Sequence, residues 1–313
     1  MKSLARCLFL YIMLNSSAHA IVMGNLADID EYSEIGSVVT FSSIGSFVAV
    51  SEFWVLTAAH VVDTTPPLVL IGGHPGGAAG EDFFFIGQVI IHPNYVTGEL
   101  HDDLALIQTT GIDPLTANVS FATFSSLALP GNLPAATTVT GYGQTTIGVD
   151  QTSFDRRFMS VATDTTDPFD RVGVPPFPTI FPTDCAGGVI LCAYGTGGGA
   201  PGDSGGGMFL HTVDGEAVAA INSFIFDETD FDPANNDMDP NNDIPPNWAD
   251  GYWTVGTSVA AYEDWIKDPM GDGSILTHAQ FSSAAFVPIP PVIWLFGSGI
   301  FGIIAVSRRK NAA

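Results

Sequence analysis

The sequence predicts an all-β chain whose helix is confined to the end of the folded part. Two observations carry this expectation. Val, Ile, Thr and Phe gather in short runs separated by Gly, Pro, Asn and Asp turn residues, as in Leu104-Ala105-Leu106-Ile107 and Val139-Thr140-Gly141-Tyr142-Gly143. A helical pattern appears once in the domain, in Thr257-Ser258-Val259-Ala260-Ala261-Tyr262-Glu263-Asp264-Trp265-Ile266.

The N-terminus reads as a secretory signal peptide over residues 1–20. Lys2 and Arg6 precede the apolar run Cys7 to Leu14, and Ala18-His19-Ala20 supplies the small residues that a signal peptidase needs at its cut. That run is too short for a spanning helix, which takes about 20 apolar residues. Cleavage removes Cys7 and leaves Ile21-Val22-Met23-Gly24 as the new N-terminus.

Three short motifs then bring the chemistry. Thr57-Ala58-Ala59-His60 ends on an imidazole, Asp103 opens the apolar strand Leu104-Ala105-Leu106-Ile107, and Gly202-Asp203-Ser204-Gly205-Gly206 sets a hydroxyl among glycines. A serine hydroxyl is a poor nucleophile at neutral pH. It needs a base within hydrogen-bond reach, and that base needs a third group that fixes its tautomer and stabilises the imidazolium. Ser204, His60 and Asp103 fit those roles. The glycines allow a sharp turn at which the N–H groups of Gly202 and Ser204 could face an oxygen that becomes negative. Asp102 rivals Asp103 for the acid, but the strand begins directly after Asp103, which leaves Asp102 as a rim charge.

With these motifs in the order His, Asp, Ser, residues 21–268 resemble the chymotrypsin/trypsin family. Ile91-His92-Pro93-Asn94-Tyr95, Val139-Thr140-Gly141-Tyr142-Gly143, Leu191-Cys192-Ala193 and the helical run ending at Ile266 add to the likeness. The resemblance implies two six-stranded antiparallel β-barrels, about 21–130 and 131–256, with a C-terminal helix over 257–268. The triad would lie between them, His60 and Asp103 from the first and Ser204 from the second. It further implies that the Ile21 ammonium pairs with Asp203, so that signal-peptide removal would itself activate the enzyme. The family often carries a disulfide beside the catalytic histidine; Val61 stands there instead. Six residues before the nucleophile, at the base of the family's specificity pocket, lies Gly198, with no carboxylate for Lys or Arg. Ser223, Phe224 and Ile225 would form one pocket wall, with Thr254 opposite. Bulky Ile225 and Thr254 imply an elastase-like slot for small or medium apolar side chains. The activity implied is an exported serine endopeptidase that acts on proteins or peptides through an acyl-enzyme. Two alternatives are a catalytically idle surface or matrix binding module, whose usual damaged triad is not seen, and an esterase, whose common Gly-x-Ser-x-Gly elbow and Ser, Asp, His order differ.

Once the leader is gone, Cys185 and Cys192 remain, and an exported setting predicts one local disulfide between them near the pocket. No zinc or other metal site is expected from two thiols without an adjacent histidine. The stretch 227–243, with Asp227, Asp230, Asp232, Asp237, Asp239 and Asp243 among asparagines, offers oxygen ligands of the type calcium takes, yet it lacks the EF-hand glycine and closing glutamate. The expectation is a mobile acidic insertion, with calcium as the alternative and no other cofactor. The chain holds 9 basic and 33 acidic residues, a net charge of −24; five of the basic residues lie in the leader and tail. Such a surface repels nucleic acid and anionic lipid.

The C-terminus reads as an address. Residues 269–287 have the Gly, Ser and Ala content of a flexible linker. In 288–313, Pro288-Ile289-Pro290 precedes an uncharged apolar stretch from Val292 to Val306 and then Arg308-Arg309-Lys310. This is a short membrane-spanning helix with its basic end in the cytoplasm. The tail resembles the PEP-CTERM sorting signal of Gram-negative bacteria, with Ile289 in place of the family's glutamate, and implies an exosortase as partner. The product would be tethered to the inner membrane facing the periplasm, or released to the cell surface or medium after the tail is removed.

Overall fold

The computed structural model describes residues 24–28, 30–72, 82–97, 102–112, 119–127, 136–143, 156–164, 190–195, 198–226, 231–232, 237–238, 252–274 and 276–286. The signal peptide, Ile21, Cys185 and the 288–313 tail lie outside them, as does most of the acidic stretch. Among the described residues no helix is long and apolar enough to cross a membrane.

The first half is built from β1 (Asn25–Leu26), β2 (Ile35–Thr40), β3 (Ile44–Ser51), β4 (Trp54–Thr57), β5 (Pro67–Gly72), β6 (Asp82–Phe84), β7 (Ile86–Ile91) and β8 (Ala105–Thr109). One sheet runs β6-β5-β2-β3-β4-β8-β7, antiparallel throughout. β6 and β7 are separated only by Phe85, so they form one bent strand that pairs with β5 before the bend and β8 after it. The ring therefore closes with six strands, which removes the exposed edges an open sheet would leave.

The second half adds β9 (Thr123–Ser125), β10 (Ala136–Gly141), β11 (Arg157–Asp164), β12 (Ile190–Gly195), β13 (Gly207–Thr212), β14 (Gly215–Phe226), β15 (Phe231–Asp232), β16 (Asp237–Met238) and β17 (Tyr252–Ser258). Strands β10-β11-β12-β17-β14-β13 close on one another, since β13 pairs with both β14 and β10. This is the second six-stranded barrel. β15 and β16 form a separate two-residue ladder within the acidic stretch. The N-terminal β1 pairs with β11, on the second barrel.

Strand period 2 explains the packing. In β3, Phe47 and Ala49 point into the first barrel with Val38, Val55, Leu70 and Ile107. Their neighbours Val48 and Val50 face the other way, into a cluster that also holds Leu56, Leu106, Phe124, Phe209, Val218 and Ile221 from both halves. The central strands are apolar on both faces because each face is buried, one in a barrel and one between barrels. Val139, Leu191, Met208, Leu210 and Ala219 fill the second barrel.

Two expectations about the end of the domain need correction. The helix expected over 257–268 is shorter, because Thr257 and Ser258 remain in β17, opposite Ile221 and Ala220. A 3-10 turn over Ala260–Tyr262 leads into α1 (Glu263–Lys267), whose buried Ile266 docks it on the inter-barrel cluster. The stretch expected as linker, 269–287, instead carries β18 (Gln280–Ser282), paired in parallel with β9. Phe281 stacks on Phe124 with ring centroids 5.4 Å apart, and buried Thr277 donates to Ile266 O at 2.6 Å. The Gly, Ser and Ala residues around the strand give the stretch a spacer's composition, while Phe281 within it makes the packing contact.

Candidate active site

His60 sits on a 3-10 turn over Ala59–Val61 that follows β4, anchored by buried Ala59 and Val61. Val61 fills the space in which a side chain at position 45 would stand, its Cγ1 being 2.6 Å from an ideal Cβ built on Gly45. Packing thus takes the place of a bridge beside the histidine. Asp103 is buried at the mouth of β8. Its carboxylate accepts from His60 N–H at 2.9 Å and lies 2.7 Å from His60 Nδ1, so one side chain fixes both the backbone and the ring. With its proton on Nδ1, the ring keeps the Nε2 lone pair free.

Asp102 turns the other way. Its φ of 56° reverses the chain, and its carboxylate lies 3.4 Å from Nδ1 of His92. The two adjacent aspartates are thereby sorted, one into the cleft and one towards α1. Burial pushes the His92 ring below its ordinary pKa, with Asp102 opposing, and burial together with Asp102 pushes the Tyr262 phenol up. For His60, burial acts downward, but the charge and hydrogen bond of Asp103 outweigh it and the ring titrates above its ordinary range.

Ser204 lies between two tight turns that the sequence dictates. In Ala200-Pro201-Gly202-Asp203 the Asp203 N–H donates to Ala200 O at 2.9 Å, with Gly202 at φ 96°. Proline second and a left-handed glycine third is the requirement of a type II turn. Asp203-Ser204-Gly205-Gly206 repeats the pattern, with Gly206 N–H to Asp203 O at 2.9 Å and Gly205 at φ 91°. A Cβ at Gly205 would stand 2.1 Å from Ser46 O, so this position takes no side chain. Among the described residues, the N–H groups of Gly202 and Ser204 make no hydrogen bond. Buried Asp203 accepts from Gly143 N–H and from Ala200 N–H, both at 2.7 Å. Ile21, its expected partner, lies outside the described residues.

Ser223 joins the parts. Its hydroxyl donates to the Asp103 carboxylate, and its carbonyl accepts from the Ser204 hydroxyl at 3.3 Å. Asp103 and Ser204, 101 positions apart, thus meet at one residue of β14, and His60 is joined to it through Asp103. The Ser204 hydroxyl engages Ser223 O and, among the described residues, makes no hydrogen bond to His60. Ser223 was expected only as a pocket wall. The link to Asp103 had no signal, since a serine in an apolar strand is not a motif.

Beside Ser204 opens a cavity of about 50 Å³ whose walls include Ser223, Phe224, Ile225 and Thr254, four of the five expected pocket residues. Gly198 stands behind rather than on the wall: an ideal Cβ there would be 2.5 Å from the Thr254 hydroxyl, which also accepts from Gly199 N–H at 2.9 Å. Ile225 and Thr254 are register partners across β14 and β17, which sets them side by side. Asp203 and Ser204 also line it, and Gly199, Ala200, Pro201 and Asn222, which were not foreseen, complete the lining. Cys192 is buried in β12 and disulfide-bonded. No cluster of metal-ligating side chains is present among the described residues.

A family model described as Trypsin matches residues 32–234, more than half of the chain. The fold is similar to that of neuropsin, a serine protease expressed in the limbic system of mouse brain. The two share 19% sequence identity at a TM-score of 0.57, over 80% of this chain and 100% of that one.

Proposed function

The chain belongs to the trypsin family, and from that premise we propose that it is an exported serine endopeptidase working through His60, Asp103 and Ser204. The observation that carries this reading is the continuous polar path from His60 through Asp103 and Ser223 to Ser204. In the reaction, the Ser204 hydroxyl leaves Ser223 O and turns to His60 Nε2 by rotation about its Cα–Cβ bond. It then attacks the scissile carbonyl while the imidazole takes its proton. The unengaged N–H groups of Gly202 and Ser204 receive the developing oxyanion, an interaction whose loss typically costs about 2.7–4 kcal/mol of barrier. The imidazolium, stabilised by Asp103, gives its proton to the leaving amine, and water repeats the sequence on the acyl-enzyme.

The preferred residue on the acyl side is small or medium and apolar. Ile225 and Thr254 narrow the cavity beside Ser204, and about 50 Å³ admits only a few water-sized groups. Among the described residues, the one acidic residue on the lining is Asp203, whose buried carboxylate is taken up by the Gly143 and Ala200 N–H groups rather than offered to a Lys or Arg side chain. A disulfide between Cys185 and Cys192 staples this side of the second barrel. Residues 1–20 direct export, cleavage after Ala20 frees Ile21 to pair with Asp203, and the 288–313 tail tethers the enzyme until a sorting enzyme removes it.

Labelling with a serine-directed fluorophosphonate tests the activity. Wild type should be labelled and Ser204→Ala should not, whereas a folded, unlabelled wild type overturns the reading. A chromogenic peptide panel tests the pocket: preference for Arg or Phe over Ala and Val contradicts it.

A further inference from the structure

Ser46 is a buried polar residue in the face of β3 that otherwise carries apolar side chains to the barrel interface. It shares the parity of Val48 and Val50, so it points at the second barrel, and it is fully buried. Every polar atom of the residue is engaged. Its hydroxyl donates to Gly202 O at 2.9 Å and accepts from Tyr142 N–H at 2.9 Å. Its N–H donates to Ser204 O at 2.8 Å, and its carbonyl accepts from the Thr57 hydroxyl at 2.7 Å. One first-barrel residue therefore grips the carbonyls on both sides of Asp203, 156 and 158 positions away in the chain.

The grip falls where the backbone most needs one. Gly202 has no Cβ to restrict it and populates several basins at little cost, yet its N–H must keep one direction to receive an oxyanion. Pro201 limits the chain on one side of Gly202. The Ser46 hydroxyl holds the peptide plane on the other. The next residue along, Gly143, donates to Asp203 while Tyr142 donates to Ser46, so the same two-residue segment ties both restraints together.

We propose that the Ser46 hydroxyl is a positioning group for the oxyanion hole: by fixing the Gly202 carbonyl it holds the Gly202 and Ser204 N–H groups in place before negative charge develops. This rests on the assignment of those N–H groups under the proposed function. A donor aimed in advance stabilises the transition state without reorganisation, whereas a swinging one must be ordered during the reaction.

Ser46→Ala strips the hydroxyl and leaves a buried carbonyl and a buried N–H without it, so some loss of stability follows whatever its role. The distinguishing readout is kinetic. On a chromogenic peptide, kcat should fall about 10- to 100-fold with KM within about twofold of wild type, and the fluorophosphonate labelling rate should fall in parallel. Ser46→Cys, with similar volume and a weak donor, should lie between, and it carries the same measurement if the alanine variant does not fold. A folded variant with wild-type kcat and labelling rate, or one whose loss lies in KM alone, overturns the proposal while leaving the peptidase reading intact. A wild-type protein that neither cleaves nor labels removes both.

Discussion

At the scale of the residue, the His60–Asp103 contact makes pH behaviour predictable. Catalysis needs the neutral ring, and Asp103 holds its pKa above the ordinary 6.5; the acid limb of kcat/KM should therefore have its midpoint above that value. Asp103→Asn removes the two upward influences that Asp103 supplies and leaves burial opposed only by the Asp63 charge, so the limb should move to lower pH while kcat falls by about 10⁴-fold, the loss known for such a change in a serine protease triad. The linkage to stability has a definite sign. A raised histidine pKa stabilises the fold fully below the unfolded value, and that contribution fades as pH rises through the folded one. Denaturant midpoints should accordingly show a larger loss for Asp103→Asn near about pH 5 than near about pH 9. Ser223→Ala removes a hydrogen bond to the carboxylate, and a bond of that kind is worth about 1.5–3 kcal/mol; a kcat equal to wild type would contradict its place in the path. The triad was legible because each member sits in a local motif. Ser46 and Ser223 were not, since Ser46's partners in the second barrel lie 96 to 158 positions away, Ser223's lie 19 and 120 away, and nothing in their neighbours hints at them.

At the scale of the element, the strand that closes the described chain is the surprise. The Gly, Ser and Ala residues on either side of β18 gave the whole stretch 269–287 the look of a spacer. What distinguishes it from one is Phe281, stacked on Phe124 and covered by Lys267 Nζ at 4.9 Å from its ring centroid. Phe281→Ala should lower stability by roughly 1–2 kcal/mol, a partial-burial share of what a buried phenylalanine contributes plus the ring contact. Chemical denaturation measures it, and an unchanged midpoint would return the segment to the status of a spacer. The helix boundary was misplaced for a related reason: Thr257 and Ser258 fit a helix start on paper, but their backbone is claimed by the ladder with Ile221 and Ala220.

At the scale of the whole molecule, the all-β class and the two barrels were legible from strand runs, turn residues and family likeness. The closure of the first ring through a strand bent at Phe85 was not, because the bend falls inside the unbroken apolar run Phe83-Phe84-Phe85-Ile86, with no turn residue to mark it. The net charge of −24 sets a further expectation. Self-repulsion among carboxylates opposes the compact state, and salt screens it, so Tm should rise between roughly 10 mM and 150 mM sodium chloride; a fall would mean that attractive pairs dominate. The seating of Val61 against Gly45 carries one more lesson. Thiol reductants have nothing to cut beneath the catalytic imidazole, so in a reducing medium the first barrel should keep its base correctly mounted, and any harm would begin instead around Cys192, on the side that shapes what the enzyme accepts.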